Sequence, residues 1–104
     1  MDLPEKVLSG IREIARRHPI DKVILFGSRA RGDNKLASDI DLAVFPARGF
    51  IGRSYVASEM DDLETLLKID LVYVDEATER ELLERIDKEG VILYERSKNK
   101  AGEF

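Results

Sequence analysis

FGSRARGDNKLASDIDLAVF, residues Phe26–Phe45, runs from the end of one apolar stretch through a charged loop into a second. The second stretch, Ile40–Phe45, reads as a buried strand closed by Pro46. Side chains two apart on a strand share a face, roughly 6.6 Å from one another. Asp39 and Asp41 therefore stand together, while Ile40 and Leu42 face the opposite way into a core. Two carboxylates this close repel, and burying them adds to the cost, so a positive charge is expected between them. Taken alone, Ser38-Asp39-Ile40-Asp41 fits two readings equally: a metal site, or a turn cap at Asp39 with an arginine partner for Asp41.

Upstream, Lys22–Phe26 (KVILF) is a short β-branched strand that leads directly into Gly27-Ser28. Glycine there permits close backbone approach, so that exposed N–H groups can meet phosphate oxygens. Arg29, Arg31 and Lys35 add positive charge nearby, although each of these features in isolation also fits an ordinary turn and a solvated surface. Downstream, Ile69–Val74 (IDLVYV) repeats the pattern of an acid between aliphatic residues, and a neighbouring strand can aim Asp70 at the same place. Three carboxylates converging from two strands make an all-oxygen site suited to Mg²⁺ or Mn²⁺. Such sites often hold two ions about 3.5 to 4 Å apart for phosphoryl chemistry.

Other motif readings fail on particular residues. Gly27 and Gly32 have P-loop spacing, but Asp33-Asn34 stands where Lys-Ser/Thr is required. A calcium loop begun at Asp33 places Lys35 at a ligand position and Val44 where a bidentate Glu belongs. His18, the sole histidine, is expected to face the last carbonyls of a helix, and Tyr55, Tyr73 and Tyr94 fall in core-facing patterns.

The rest of the chain supplies helices. Leu3–His18 has apolar residues at helical spacing with Pro4 in the first turn, and Tyr55–Lys68 repeats that spacing after a loop containing Gly49 and Gly52. Thr78 and Glu81 suggest a capping box opening a helix that buries Leu82, Leu83 and Ile86, stops at Gly90, and leaves Val91–Tyr94 as a last strand. The order predicts an α/β (α+β) domain with a small mixed sheet backed by helices over residues 1–95, and a flexible C-terminal tail over 96–104.

Composition limits the function. With 17 basic and 21 acidic residues in 104, the net charge is −4 and the pI about 5.1, which disfavours direct nucleic-acid binding. Lys22–Arg53 holds six basic and three acidic residues, Ser54–Glu95 four basic and thirteen acidic, so the basic excess surrounds the quoted stretch. The absence of cysteine excludes disulfides and thiolate metal sites, and with no signal peptide or membrane-length apolar run the expectation is a soluble cytoplasmic protein. Charged residues at 37%, with no Gln, lean toward a thermophilic source.

Gly27-Ser28, ten intervening residues, Asp39-Ile40-Asp41, and then Asp70 in the next strand resemble the minimal nucleotidyltransferases (MNT) of the DNA polymerase β superfamily, with the resemblance running from Lys22 to about Val74. It implies the polymerase β-like nucleotidyltransferase fold, with the site along one sheet edge. It implies that Gly27 and Ser28, helped by Arg29 and Arg31, hold ATP's phosphates. Asp39 and Asp41 would then bind two Mg²⁺ ions, and Asp70 would bind the catalytic ion and help deprotonate the attacking hydroxyl. Family members this short look like the antitoxin of HEPN/MNT toxin–antitoxin pairs, which transfers AMP from ATP to a tyrosine of a helical HEPN-domain toxin. The acceptor is left open by the resemblance: an antitoxin acting by binding alone, and adenylylation of a small-molecule hydroxyl, are the alternatives.

Overall fold

The computed structural model describes residues 1–96. The elements are α1 (Glu5–Arg17), β1 (Ile20–Phe26), α2 (Ser28–Arg31), β2 (Ile40–Pro46), α3 (Arg53–Asp61), β3 (Ile69–Tyr73), α4 (Arg80–Glu89) and β4 (Val91–Glu95). One four-stranded sheet has the order β3-β2-β1-β4. β1 pairs antiparallel with β2 and with β4, while β2 pairs parallel with β3, which makes the sheet mixed as expected. The parallel pair needs a crossover, and α3 lies in it.

α1 buries Val7, Leu8, Ile11, Ile14 and Ala15, the stripe its sequence spacing requires, against one face of the sheet. Period-two alternation in the strands supplies the other half of that core: Val23 and Leu25 from β1, and Ile40, Leu42 and Val44 from β2. α3 adds Val56 and Met60. On the opposite face α4 contributes Ile86 to a much smaller cluster with Ile24, Phe26 and Ala43, flanked by Phe45, Val72, Val74 and Leu82.

Several expectations need correction. α3 ends at Asp61, short of Lys68, because the next residues close local turns: Leu63 O accepts the Thr65 N–H at 2.7 Å, and Thr65 Oγ1 accepts the Leu67 N–H at 3.0 Å. The capping box does not form; Thr78 Oγ1 accepts the Asp75 N–H at 2.9 Å, and α4 starts after Glu79. Within α4 only Ile86 is buried, and Leu83 is exposed. Tyr55 points outward at 71% exposure. His18 meets Glu59 at 3.1 Å instead of helix carbonyls. Arg96, assigned to the tail, is anchored: its N–H donates to Asp21 O and its guanidinium to the carbonyls of His18 and Ile20. The remainder of the expected tail lies outside the described residues.

Gly90 stops α4 in extended geometry (φ −71°, ψ 148°), not in a left-handed cap. A Cβ there would run into Ile86 O and the Ile24 side chain, so this glycine serves the close packing of α4 onto β1.

Candidate active site

Strand register brings the acids together. Asp41 pairs with Phe26 on the β1 side and with Asp70 on the β3 side, so all three side chains belong to one face of the sheet. That is the α4 face; the flanking Ile40 and Leu42 are wholly buried on the other. Asp39 lies two residues before Asp41, just outside β2, and is exposed, whereas Asp41 and Asp70 are half-buried. β3 is an edge strand, which leaves the Asp70 side open to an approaching molecule.

Gly27 completes this corner. Its φ of +79° is one that side-chain-bearing residues rarely adopt, and a Cβ on it would stand 2.5 Å from Asp41 Oδ2. The backbone thus passes against the carboxylate only because the side chain is absent.

Asp39 and Asp41 have no ion pair or side-chain hydrogen bond among the described residues, and Asp70 has only Lys68, with Nζ 3.4 Å from Oδ1. Partial burial first, then the charges of Asp70 and Asp39, push the Asp41 carboxyl above its ordinary range. Arg85 pulls the other way, and Glu89 adds to the rise. A cluster that raises its own central pKa is short of positive charge. That donor set, all carboxylate oxygen, fits a hard divalent cation. Among the described residues no three acidic or histidine side chains are gathered in metal-holding geometry, and Asp70 instead contacts Lys68.

The four residues expected at the phosphates separate into different roles. Gly27 turns its N–H to Glu89 Oε1 at 3.0 Å, and Arg31 donates to Glu89 Oε2 at 2.9 Å and to Asp33 Oδ2 at 3.0 Å. Ser28 opens α2 with its side chain partly exposed. Arg29 departs from the expectation of a phosphate-facing cation. Only 3% exposed, it donates to the carbonyls of Ser38 (3.0 Å), Leu36 (2.9 Å) and Asp2 (3.2 Å). A buried guanidinium with five donors finds acceptors where it can, and here they are backbone oxygens of the loop that ends at Asp39 and of Asp2, whose carboxylate also lies 3.6 Å away. Arg29 therefore fixes the approach to β2.

Sequence reasoning missed Glu89 and Arg85. The Arg85 guanidinium lies 5.8 Å from the centre of the Phe26 ring and 3.6 Å from Glu89 Oε1. Both residues are some sixty positions from Gly27, so no local spacing reveals them. One signal was present: Glu89 ends a helix, where a negative charge opposes the dipole and needs compensation from elsewhere.

A family model described as polymerase beta, nucleotidyltransferase, matches residues 9–99. The chain belongs to this family. A curated relative, "Putative protein adenylyltransferase MJ1379" of Methanocaldococcus jannaschii, is 33% identical over 97 residues, covering 75% of this chain and 97% of the relative. Among solved structures, a chain of a toxin–antitoxin complex with AMP-PNP superposes with a TM-score of 0.69 at 23% identity, over 90% of this chain and 77% of that one. A chain from the complex of tri-AMPylated Shewanella oneidensis HEPN toxin with MNT antitoxin gives a TM-score of 0.63 at 21% identity, over 91% and 75%. At these identities the structural likeness concerns the nucleotidyltransferase fold. Among the described residues no helix is long and apolar enough to cross a membrane.

Proposed function

We propose that this nucleotidyltransferase-family chain transfers AMP from ATP to a tyrosine hydroxyl of a helical HEPN-type toxin, acting as its antitoxin in the cytoplasm. The observation that carries the reading is the pairing of Asp41 with Asp70 across β2 and β3, with Asp39 on the same side and Gly27 against Asp41. The adenylyltransferase name of the curated relative and the AMPylated toxin complex among its structural neighbours support the choice of reaction and partner.

In this reading Asp39 and Asp41 would hold two Mg²⁺ ions, with Mn²⁺ as the other suitable ion, and Asp70 would help hold the catalytic one. Such ions, when bound, would neutralise charge on the phosphates and lower the pKa of the acceptor hydroxyl. Asp70, at the open sheet edge, accepts the proton as the tyrosine oxygen attacks the α-phosphorus. The bond from that phosphorus to the bridging oxygen breaks, and pyrophosphate departs toward Gly27 and Ser28. The protein's share of the rate enhancement is positioning and electrostatics, as in phosphoryl transfer generally. In this reading the toxin itself presents the acceptor. The stretch from Glu59 to Glu89 offers it an acidic docking surface, complementary to a basic ribonuclease.

The test is incubation with labelled ATP and Mg²⁺, with and without the product of the adjacent gene. Label on a partner tyrosine, lost with EDTA, is the expected result. A partner that binds unmodified would leave an antitoxin acting by binding alone, and label on a small molecule would make this a metabolite adenylyltransferase. Mg²⁺-ATP should also raise the melting temperature and EDTA abolish the rise; equal shifts with and without the ion would remove the metal from the reading.

A further inference from the structure

Glu89 makes an uncommon set of contacts for a helix-terminal carboxylate. Its side chain is 16% exposed and closes α4 at the end where a negative charge is least favoured. Three positive or polar donors surround it: Gly27 N–H at 3.0 Å, the Arg31 guanidinium at 2.9 Å and the Arg85 guanidinium at 3.6 Å. They come from the turn after β1, from α2 and from α4, which converge at the end of the sheet where Asp41 stands. Burial alone pushes the Glu89 carboxyl up, but the hydrogen bonds from Arg31 and Gly27 and the charges of Arg31 and Arg85 together hold it below its ordinary range. This is an anion site, and an anion of the chain itself fills it.

We propose that Glu89 is a stand-in for a phosphate, which the triphosphate of the nucleotide displaces, taking over Gly27 N–H, Arg31 and Arg85. The inference rests on the nucleotidyltransferase reading and adds two residues to it. Arg85 becomes a nucleotide-binding residue, held over Phe26, the cross-strand partner of Asp41. Glu89 becomes the internal competitor that keeps both guanidiniums oriented in the free chain. The exchange is electrostatically coherent: a carboxylate offers one negative charge to the three donors, and a polyphosphate offers several charges with more acceptor oxygens. Displaced, the Glu89 carboxylate swings away from the phosphates at the exposed end of α4, and its repulsion of Asp41 falls.

The measurement is calorimetric titration of the full chain with Mg²⁺-tripolyphosphate, which isolates phosphate contacts, and with Mg²⁺-ATP. Glu89→Gln should bind both about tenfold more tightly than the wild type, since a neutral amide competes poorly for two guanidiniums. Arg85→Ala should weaken both by a similar factor. Equal or weaker binding by a folded Glu89→Gln chain, or an unchanged Arg85→Ala, would overturn the proposal. Should Glu89→Gln not fold, the wild type decides: the side-chain carboxyl ¹³C resonance of Glu89 moves on saturation with tripolyphosphate if the carboxylate is displaced, and its staying in place refutes displacement. A wild type that binds neither ATP nor tripolyphosphate would instead sink the nucleotidyltransferase reading itself.

Discussion

The two faces of one strand, β2, do opposite work. Ile40, Leu42 and Val44 point toward α1 and α3, have no exposure, and meet apolar side chains from helices and neighbouring strands. Asp41, between them in sequence, points toward α4, where the apolar cover is thin and ends beside a carboxylate cluster whose one ion pair among the described residues is Lys68–Asp70. The first face is close-packed and gains free energy from what it excludes. The second keeps a destabilising arrangement of like charges, which the larger core must offset. Stability and the proposed chemistry are thereby separated by a single residue of backbone.

The sharpest way to break this contrast is Asp41→Asn. On the proposed reading AMP transfer should fall by about 10³-fold, since the charge proposed to hold metal at the reacting centre is lost. The metal-free fold should hold or gain stability because repulsion is relieved. Unfolding of this variant by circular dichroism would make Asp41 a structural residue and erase the distinction between the faces. Leu42→Ala, one residue along, should do the reverse: urea unfolding should register a loss of about 3 kcal/mol through a core cavity, while transfer per folded molecule stays near the wild-type rate. A large drop in that specific activity would mean the core face reaches into the chemistry.

Arg29→Ala comes next. Removing a buried guanidinium leaves the carbonyls of Ser38, Leu36 and Asp2 without donors, at a cost of about 2 kcal/mol. The loss should be insensitive to salt, whereas Arg31→Ala should weaken ATP binding in a salt-dependent way. The mildest effect concerns pH. Asp41 has a folded pKa above its unfolded value, so the native state retains its proton more readily, and this group's contribution to stability falls as pH rises through that window. Metal-free Asp41→Asn should therefore exceed the wild type most near neutral pH, and the gap should narrow as pH falls through the carboxylate range. A gap independent of pH would show that the gain is not electrostatic.

Sequence alone carried the strand faces and the acidic trio, because both follow from period two and from residues that are close neighbours or repeat a local pattern. It failed where a side chain's partner is distant. Arg29 and Arg31 look alike in the chain, yet one is enclosed by backbone oxygens and the other reaches Glu89. Helical spacing also overreached at Leu66: the residue is fully exposed, because the turn hydrogen bonds around Thr65 end the regular backbone several residues earlier. Thr78 was misread for a similar reason, its hydroxyl accepting from Asp75 before it could cap a helix.

The parallel pairing of Asp41 with Asp70 has a consequence for anyone altering this scaffold. Side-chain direction along a strand is a two-state variable, so sliding β3 by one residue against β2 would send Asp70 to the α1–α3 side and bring Ile69 or Leu71 to the carboxylates. Insertions at the exposed Leu66, in the turn between α3 and β3, leave that parity untouched, whereas the neighbouring Leu63 and Leu67 pack against the core. A single deletion inside Ile69–Tyr73 reverses it for every residue beyond the cut.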